Sequence, residues 1–343
     1  MDTCTPQKDS RILTRRAALA TFSASLAVGL GSRAALADGE VRIDHVYGRT
    51  VLTAPPKRVV SIGFNTQDTI LALGTRPIAV RRWFGEQPGE IWPWAKPYLQ
   101  GPLPEVLAGE LSVEAIAALE PDLVVGIGSG LSREQYDVLS RIAPVLMQGK
   151  DDPTYGTPWD EVARRVGRAL GKDALADSLI ARTRESFGAA RARHPAWAGK
   201  TAVAAYARGG EPGAFTAIDT RSRFLAELGF KPTPGLERVS IGGNFYVKLT
   251  PEDLSPLDAD LLVWISAVED VPSITGLAMR RFLRAHTEGR EVLPSPLVAS
   301  ALSFGSVISL PYALAALEDE LAAALDGDPA TPVPSAVAAG LTG

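Results

Sequence analysis

The stretch SVEAIAALEPDLVVGI, Ser112 to Ile127, decides the fold, because the chain writes it again as TPEDLSPLDADLLVWI, Thr250 to Ile265. Laid side by side without a gap, the two share a hydroxyl residue (Ser112, Thr250), a glutamate (Glu114, Glu252) and an aspartate (Asp122, Asp260). They also share apolar residues at Ile116/Leu254 and Leu119/Leu257, and an apolar run after the aspartate. Each copy reads as a short helix running at once into a core strand. One such unit in each half of the chain predicts two α/β lobes of similar topology.

The neighbouring sequence agrees. RVVSIGFN (58–65), RPIAV (76–80) and PVLM (144–147) are apolar strands, and TQDTILALG (66–74) and REQYDVLSRIA (133–143) are helices between them. Strands that are continuous apolar runs rather than alternating ones argue for a parallel sheet covered on both faces. The alternation resumes after Pro195 with TAVAAYA, SRFLAELGF and LLVWI, and LALG (71–74) and AELG (226–229) each close the first helix of a half. Between the halves, residues 157–193 carry apolar side chains at helical spacing: one long helix, or two interrupted near Gly171. Upstream, VRIDHVYGRTVLTAPP reads as a hairpin turning at Gly48.

The expected fold is therefore α/β: two Rossmann-like lobes with parallel-type sheets, residues 38–155 and 196–326, joined by a long backbone helix in 156–195. The strand ends of the two lobes would face each other across a ligand cleft. Residues 327–343, rich in Pro and Ala, read as a loose tail.

Residues 1–37 are not part of that fold. Arg15-Arg16, the apolar stretch from Ala17 to Leu30 and the small-x-small end at Ala35–Ala37 read as a twin-arginine export signal cut after Ala37. The one cysteine, Cys4, leaves with it, so the mature chain would hold no disulfide or cysteine metal site. The expected location is the periplasm. A net charge of −4 gives no support for nucleic-acid binding. Catalysis finds no foothold either. His45, His194 and His286 are isolated from one another, GxSxG is absent, and GIGSG (126–130) lacks both the dinucleotide-loop frame and a P-loop lysine.

PKRVVSIGFNTQDTILALGTRPIAV, EAIAALEPDLVVG, the mid-chain helix and LTPEDLSPLDADLLVW, in that order behind an export signal, resemble the periplasmic substrate-binding proteins of the helical-backbone class. SGLSREQYDVLSRIAPV and SALSFGSVISLPYALAALEDELAAAL are similar to the iron–siderophore branch. The resemblance implies a monomeric receptor that binds a ferric siderophore and hands it to an inner-membrane ABC permease. It implies no catalysis and no cofactor, the iron being held by the siderophore and not by the protein. A haem or cobalamin carrier is the nearer alternative, with Tyr155, Tyr206 or Tyr246 available as an axial ligand to haem; an exported α/β enzyme is the more distant one.

A chelated iron calls for aromatic surface with cations or hydrogen-bond donors for its oxygens. The loop RRWFGEQPGEIWPW offers Arg81, Arg82, Trp83, Phe84, Trp92 and Trp94 just after a strand. Gly128-Ser129-Gly130 follows the next strand, and Tyr206, Arg208 and Phe215 follow a strand of the second half. The resemblance adds Tyr246 as a cleft aromatic and Phe304 in the late SFG loop. Arg81, Arg82, Arg208 and Lys248 together would favour an anionic catecholate or carboxylate chelate. Glu114 and Glu252 answer helix dipoles; the resemblance makes them the pair, one per lobe, that docks on permease arginines.

Overall fold

The computed structural model describes Met1 and residues 39–266 and 271–341. The export signal read in residues 1–37, its cut site and Cys4 lie outside the described residues.

Strands β1 (Val41–His45) and β2 (Gly48–Leu52) form an antiparallel hairpin, Val41 opposite Leu52. Thr50 secures it to the first sheet by donating to the Val145 carbonyl at 2.7 Å. That sheet comprises β3 (Val59–Ser61), β4 (Ala79–Arg81), β5 (Glu105–Leu107), β6 (Leu123–Val125) and β7 (Val145–Leu146), in the order β5-β4-β3-β6-β7, all parallel. Every residue of β3 and β6 is buried, as expected of central strands covered on both faces. Helices α1 (Thr66–Ala72), α2 (Val113–Ala118) and α3 (Arg133–Leu139) connect them.

The crossing between halves is two helices, α4 (Trp159–Ala169) and α5 (Asp173–Arg193). Gly171, at φ +64°, breaks them apart where a side chain would be strained.

The second sheet has the order β10-β9-β8-β11-β12, from β8 (Ala202–Arg208), β9 (Glu211–Phe215), β10 (Tyr246–Lys248), β11 (Leu261–Trp264) and β12 (Glu291–Val292). Strands β8, β11 and β12 are parallel; β9 and β10 extend the sheet antiparallel. The β8–β9 hairpin turns on Gly209-Gly210, both at positive φ, and Arg208 faces Glu211 across it. Helices α6 (Thr220–Glu227), α7 (Pro234–Val239), α8 (Val271–Thr275), α9 (Arg284–Thr287), α10 (Pro296–Phe304) and α11 (Ser309–Ala324) complete this lobe, and α11 packs back on α5.

The repeated segments fold alike in part. Ser112 caps α2 by accepting from the Ala115 amide at 3.1 Å. The second copy is not an α-helix: Pro251 and Glu252 lie in a turn, and a single 3₁₀ turn, Ser255–Leu257, precedes β11. Pro256 sits inside that turn and has no N–H to give. The tail is ordered to Leu341, against the expectation of a loose end. A short α12 (Pro334–Ala338) lies there, Val333, Ala336 and Leu341 are buried, and Arg280 donates to the Leu341 carbonyl.

Candidate functional site

A cavity of about 340 Å³ opens between the lobes. The first lobe supplies Phe64, Asn65, Trp83, Ile127 and Gly128; the segment leading into α4 supplies Thr154, Tyr155 and Thr157, and α4 itself Val162; the second lobe supplies Asp219, Thr220, Arg221, Phe245 and Ser303. Phe64, Asn65 and Gly128 follow the carboxyl ends of β3 and β6, where ligands collect in open α/β sheets. The volume falls in the range of small-molecule sites.

The rings run as a chain through both lobes. Phe64 lies 5.4 Å from Trp83 and 6.4 Å from Tyr155, and Tyr155 meets Phe245 edge-on at 5.9 Å. Two guanidinium groups stand at the cavity, Arg81 behind this chain and Arg221 in the wall. Arg81 lies 4.5 Å over the Phe64 ring and donates to the Ser129 carbonyl at 2.9 Å, while its buried Nε has no partner. Burial lowers the Arg81 pKa from its ordinary value. Arg221 lies 4.0 Å over Phe215, donates to Asp219 at 2.8 Å and reaches Ser303 at 3.2 Å. Asp219 also caps α6 by accepting from the Arg221 amide. Burial pushes the Asp219 carboxyl upward, against the pull of Arg221 and Arg223. The Thr157 hydroxyl, on a residue only 9% exposed, lines the cavity without a hydrogen-bond partner.

Of the residues singled out in the sequence, Trp83 reaches this cavity and Arg81 stands behind its Phe64 wall. Others are placed elsewhere. Trp94 is buried, stacks on Trp92 at 5.0 Å and donates to Asp68 at 2.7 Å. Phe304 is also buried, packed against Trp83, Trp92 and Trp94 from the other lobe, so these rings glue the lobes together behind the site. Arg82 pairs with Glu90 at 3.0 Å, and Lys248 with Glu211 at 3.3 Å. Arg208 ends β8 at the exposed hairpin turn. Ser129 turns its hydroxyl to the Leu131 amide. Phe215 lies under Arg221, and Tyr246 is exposed beside Phe245, which lines the cavity in its place. Trp264 is core, its indole donating to Glu291. Glu114 and Glu252 are both exposed on the surface.

Sequence reasoning missed Phe64, Asn65, Thr157, Asp219, Arg221 and Phe245. A usable signal existed for Phe64 and Asn65, which come just past Gly63 at the end of the apolar run of β3.

The pattern of the periplasmic binding protein family matches residues 59–285. The chain belongs to that family. It is thus a binding protein and not an enzyme. A periplasmic solute binding protein from Mycobacterium smegmatis superimposes with a TM-score of 0.73 at 32% identity, covering 84% of this binding protein and 99% of that chain. Streptococcus pneumoniae PiaA, crystallised with ferrichrome, superimposes at 0.72 over 84% of this chain and 99% of its own; at 22% identity that likeness speaks for the fold. The ferric enterobactin-binding periplasmic protein FepB of Escherichia coli O6:H1 is 28% identical over 162 residues, 45% of this chain and 50% of FepB. The match thus spans about half the length of that relative.

Proposed function

We propose that this binding protein is exported to the periplasm, carries a ferric siderophore between its lobes as a monomer, and delivers it to an ABC importer of the inner membrane. The observation that supports this reading best is the chain of rings Phe64, Trp83, Tyr155 and Phe245, drawn from both lobes and the segment between them. A chelated metal presents flat, apolar arms around a polar centre. Rings bind the arms, and Arg221 and the Thr157 hydroxyl offer donors to the chelate oxygens. The name of FepB and the ligand of PiaA point the same way.

Trp83 in the wall makes the test direct. Purified protein is titrated with ferric siderophores, haemin and cobalamin while tryptophan fluorescence is followed. Quenching by iron chelates, lost in Trp83→Leu and weakened in Phe245→Ala, is the expected result. Tight haemin binding with a Soret shift that disappears in Tyr155→Phe would replace this reading with a haem carrier.

Delivery assigns Glu114 and Glu252, one exposed on each lobe, to docking on permease arginines. Reversing both to Arg abolishes iron uptake and leaves chelate affinity unchanged; a fall in affinity instead would remove them from that role.

A further inference from the structure

The charges around the cavity are unevenly compensated, and this bears on which chelates fit. Arg221, in the wall, is bound to Asp219 at 2.8 Å, and both side chains are nearly closed to solvent. Arg223, behind them, donates to the Gly156 carbonyl and sits within reach of Asp219, Asp152 and Asp160. Arg82 and Lys248 are spent on Glu90 and Glu211, away from the cavity. Arg81 alone, among the described cations lining or backing the cavity, has no carboxylate beside it, and its Nε is without a partner.

Resting on the siderophore reading, we infer that this site selects chelates of low net charge: a neutral tris-hydroxamate or a monoanionic mixed chelate, in preference to a trianionic tris-catecholate. Iron(III) held by three hydroxamates is neutral, and held by three catecholates it carries three negative charges. Bringing the latter into a half-buried cavity needs several uncompensated cations. Here the second lobe brings its own counter-ion: Asp219 already occupies Arg221 and would lie against the incoming anion. Specificity by an unfavourable charge is as effective as specificity by attraction. The polarity of the site follows. Arg81, behind the Phe64 ring, makes the first lobe the more positive side of the cavity, and the second lobe faces it with Phe245 and Ser303.

The test is a fluorescence titration of the full-length mature protein with two probes, ferrichrome as the neutral tris-hydroxamate and ferric enterobactin as the trianionic tris-catecholate, at one fixed salt concentration. Wild type is expected to bind the neutral chelate at least about tenfold more tightly. Asp219→Asn keeps a helix-capping side chain, so α6 stays closed at its start. It is expected to shift the preference toward the trianionic probe, raising its affinity relative to the neutral one by about tenfold. Tighter binding of the tris-catecholate by wild type, or an unchanged preference in Asp219→Asn, overturns the inference and leaves the siderophore reading standing. Binding of neither probe by wild type, with circular dichroism showing a folded protein, overturns both.

Discussion

The two lobes begin their site-facing helices in the same way and then diverge. Helix α1 starts at Thr66 behind Asn65, and α6 starts at Thr220 behind Asp219, so a small polar residue precedes a threonine at each edge of the cavity. Three places on from Asn65 and Asp219, at Asp68 and Ser222, the lobes differ: the first buries a carboxylate, the second holds a half-buried hydroxyl that donates to its own lobe's Phe215 carbonyl. The repeated aspartates show the opposite behaviour. Asp122 accepts from the Lys57 and Arg58 amides at 2.6 and 2.7 Å, just ahead of β3. Asp260 accepts from the Thr201 amide at 2.8 Å, just ahead of β8. Each ties the entrance of its lobe's first strand to the strand beside it. What the halves share is therefore construction, and what they do not share lies at the cavity and between the lobes.

Asp68 gives the largest expected effect. It is fully buried, accepts from Trp94 of its own lobe and from Ser306 of the other at 2.7 Å each, and leaves Oδ1 without a partner. Burial raises its pKa from 3.8 to about 7, against the lowering effect of those two hydrogen bonds. Between these values the folded protein holds a proton that the unfolded chain has released, so stability falls as pH rises from about 4 to 7 and levels off above. The difference is on the order of 4 kcal/mol. Denaturant melts of wild type and Asp68→Asn at pH 5 and pH 8 should show a steeper loss in wild type; parallel behaviour would mean that the carboxylate is solvated in the folded state. Ser222→Ala, the matching change in the other lobe, should show no such pH term.

The shared aspartates come next. Deleting a carboxylate that accepts from backbone amides typically costs about 1.5–3 kcal/mol. Asp122→Ala and Asp260→Ala should both fall in this range in urea melts. Asp260→Ala should be the worse of the two, since Asp260 also takes the Thr201 hydroxyl and faces Arg284 and Arg290. A negligible effect at either site would break the equivalence of the two segments.

The first lobe's loop after β3 leaves no room for a side chain at Gly63. A Cβ at Gly63 would run into the Ile127 carbonyl and the Thr66 side chain. Gly63→Ala is therefore expected to cost about 1–3 kcal/mol by overpacking. It should also weaken chelate binding, because the next residue is Phe64 of the cavity wall. Retained affinity with lowered stability would show that the loop absorbs the shift away from the ring.

How far the sequence carried this picture depends on the range over which each feature is determined. Strands β3, β6 and β11 are legible because their residues are all buried and, Ser61 apart, all apolar, a purely local pattern. The Gly209-Gly210 hairpin is local too; Arg208, expected in the cleft, ends β8 beside that turn. Trp83 and Trp94 could not be told apart, because burial of Trp94 is decided by Phe304 and Tyr312 from the other half of the chain. No local pattern marks Arg221, which stands one residue ahead of SRFLAELGF, and only the packing of α6 sets it in the wall. Phe245 and Tyr246 differ by one residue, and in extended chain that step reverses the direction of the side chain.

The smallest expected difference concerns the repeated glutamates. Glu114 lies in the first turn of α2, and its pKa is lowered by its own backbone N–H and then by the Ser112 hydroxyl. A carboxylate held below its ordinary 4.5 contributes stability that is present above that pH and lost as pH falls through the lowered value. Glu252 stands in a turn with no helix behind it. Glu114→Gln should therefore lower Tm slightly at pH 7 and by less at pH 3, whereas Glu252→Gln should leave Tm where it was at both. Equal shifts for the two would mean that the second copy keeps a helical first turn in solution. Unequal shifts together with equal losses of uptake would separate what each glutamate does for its lobe from what the pair does at the membrane.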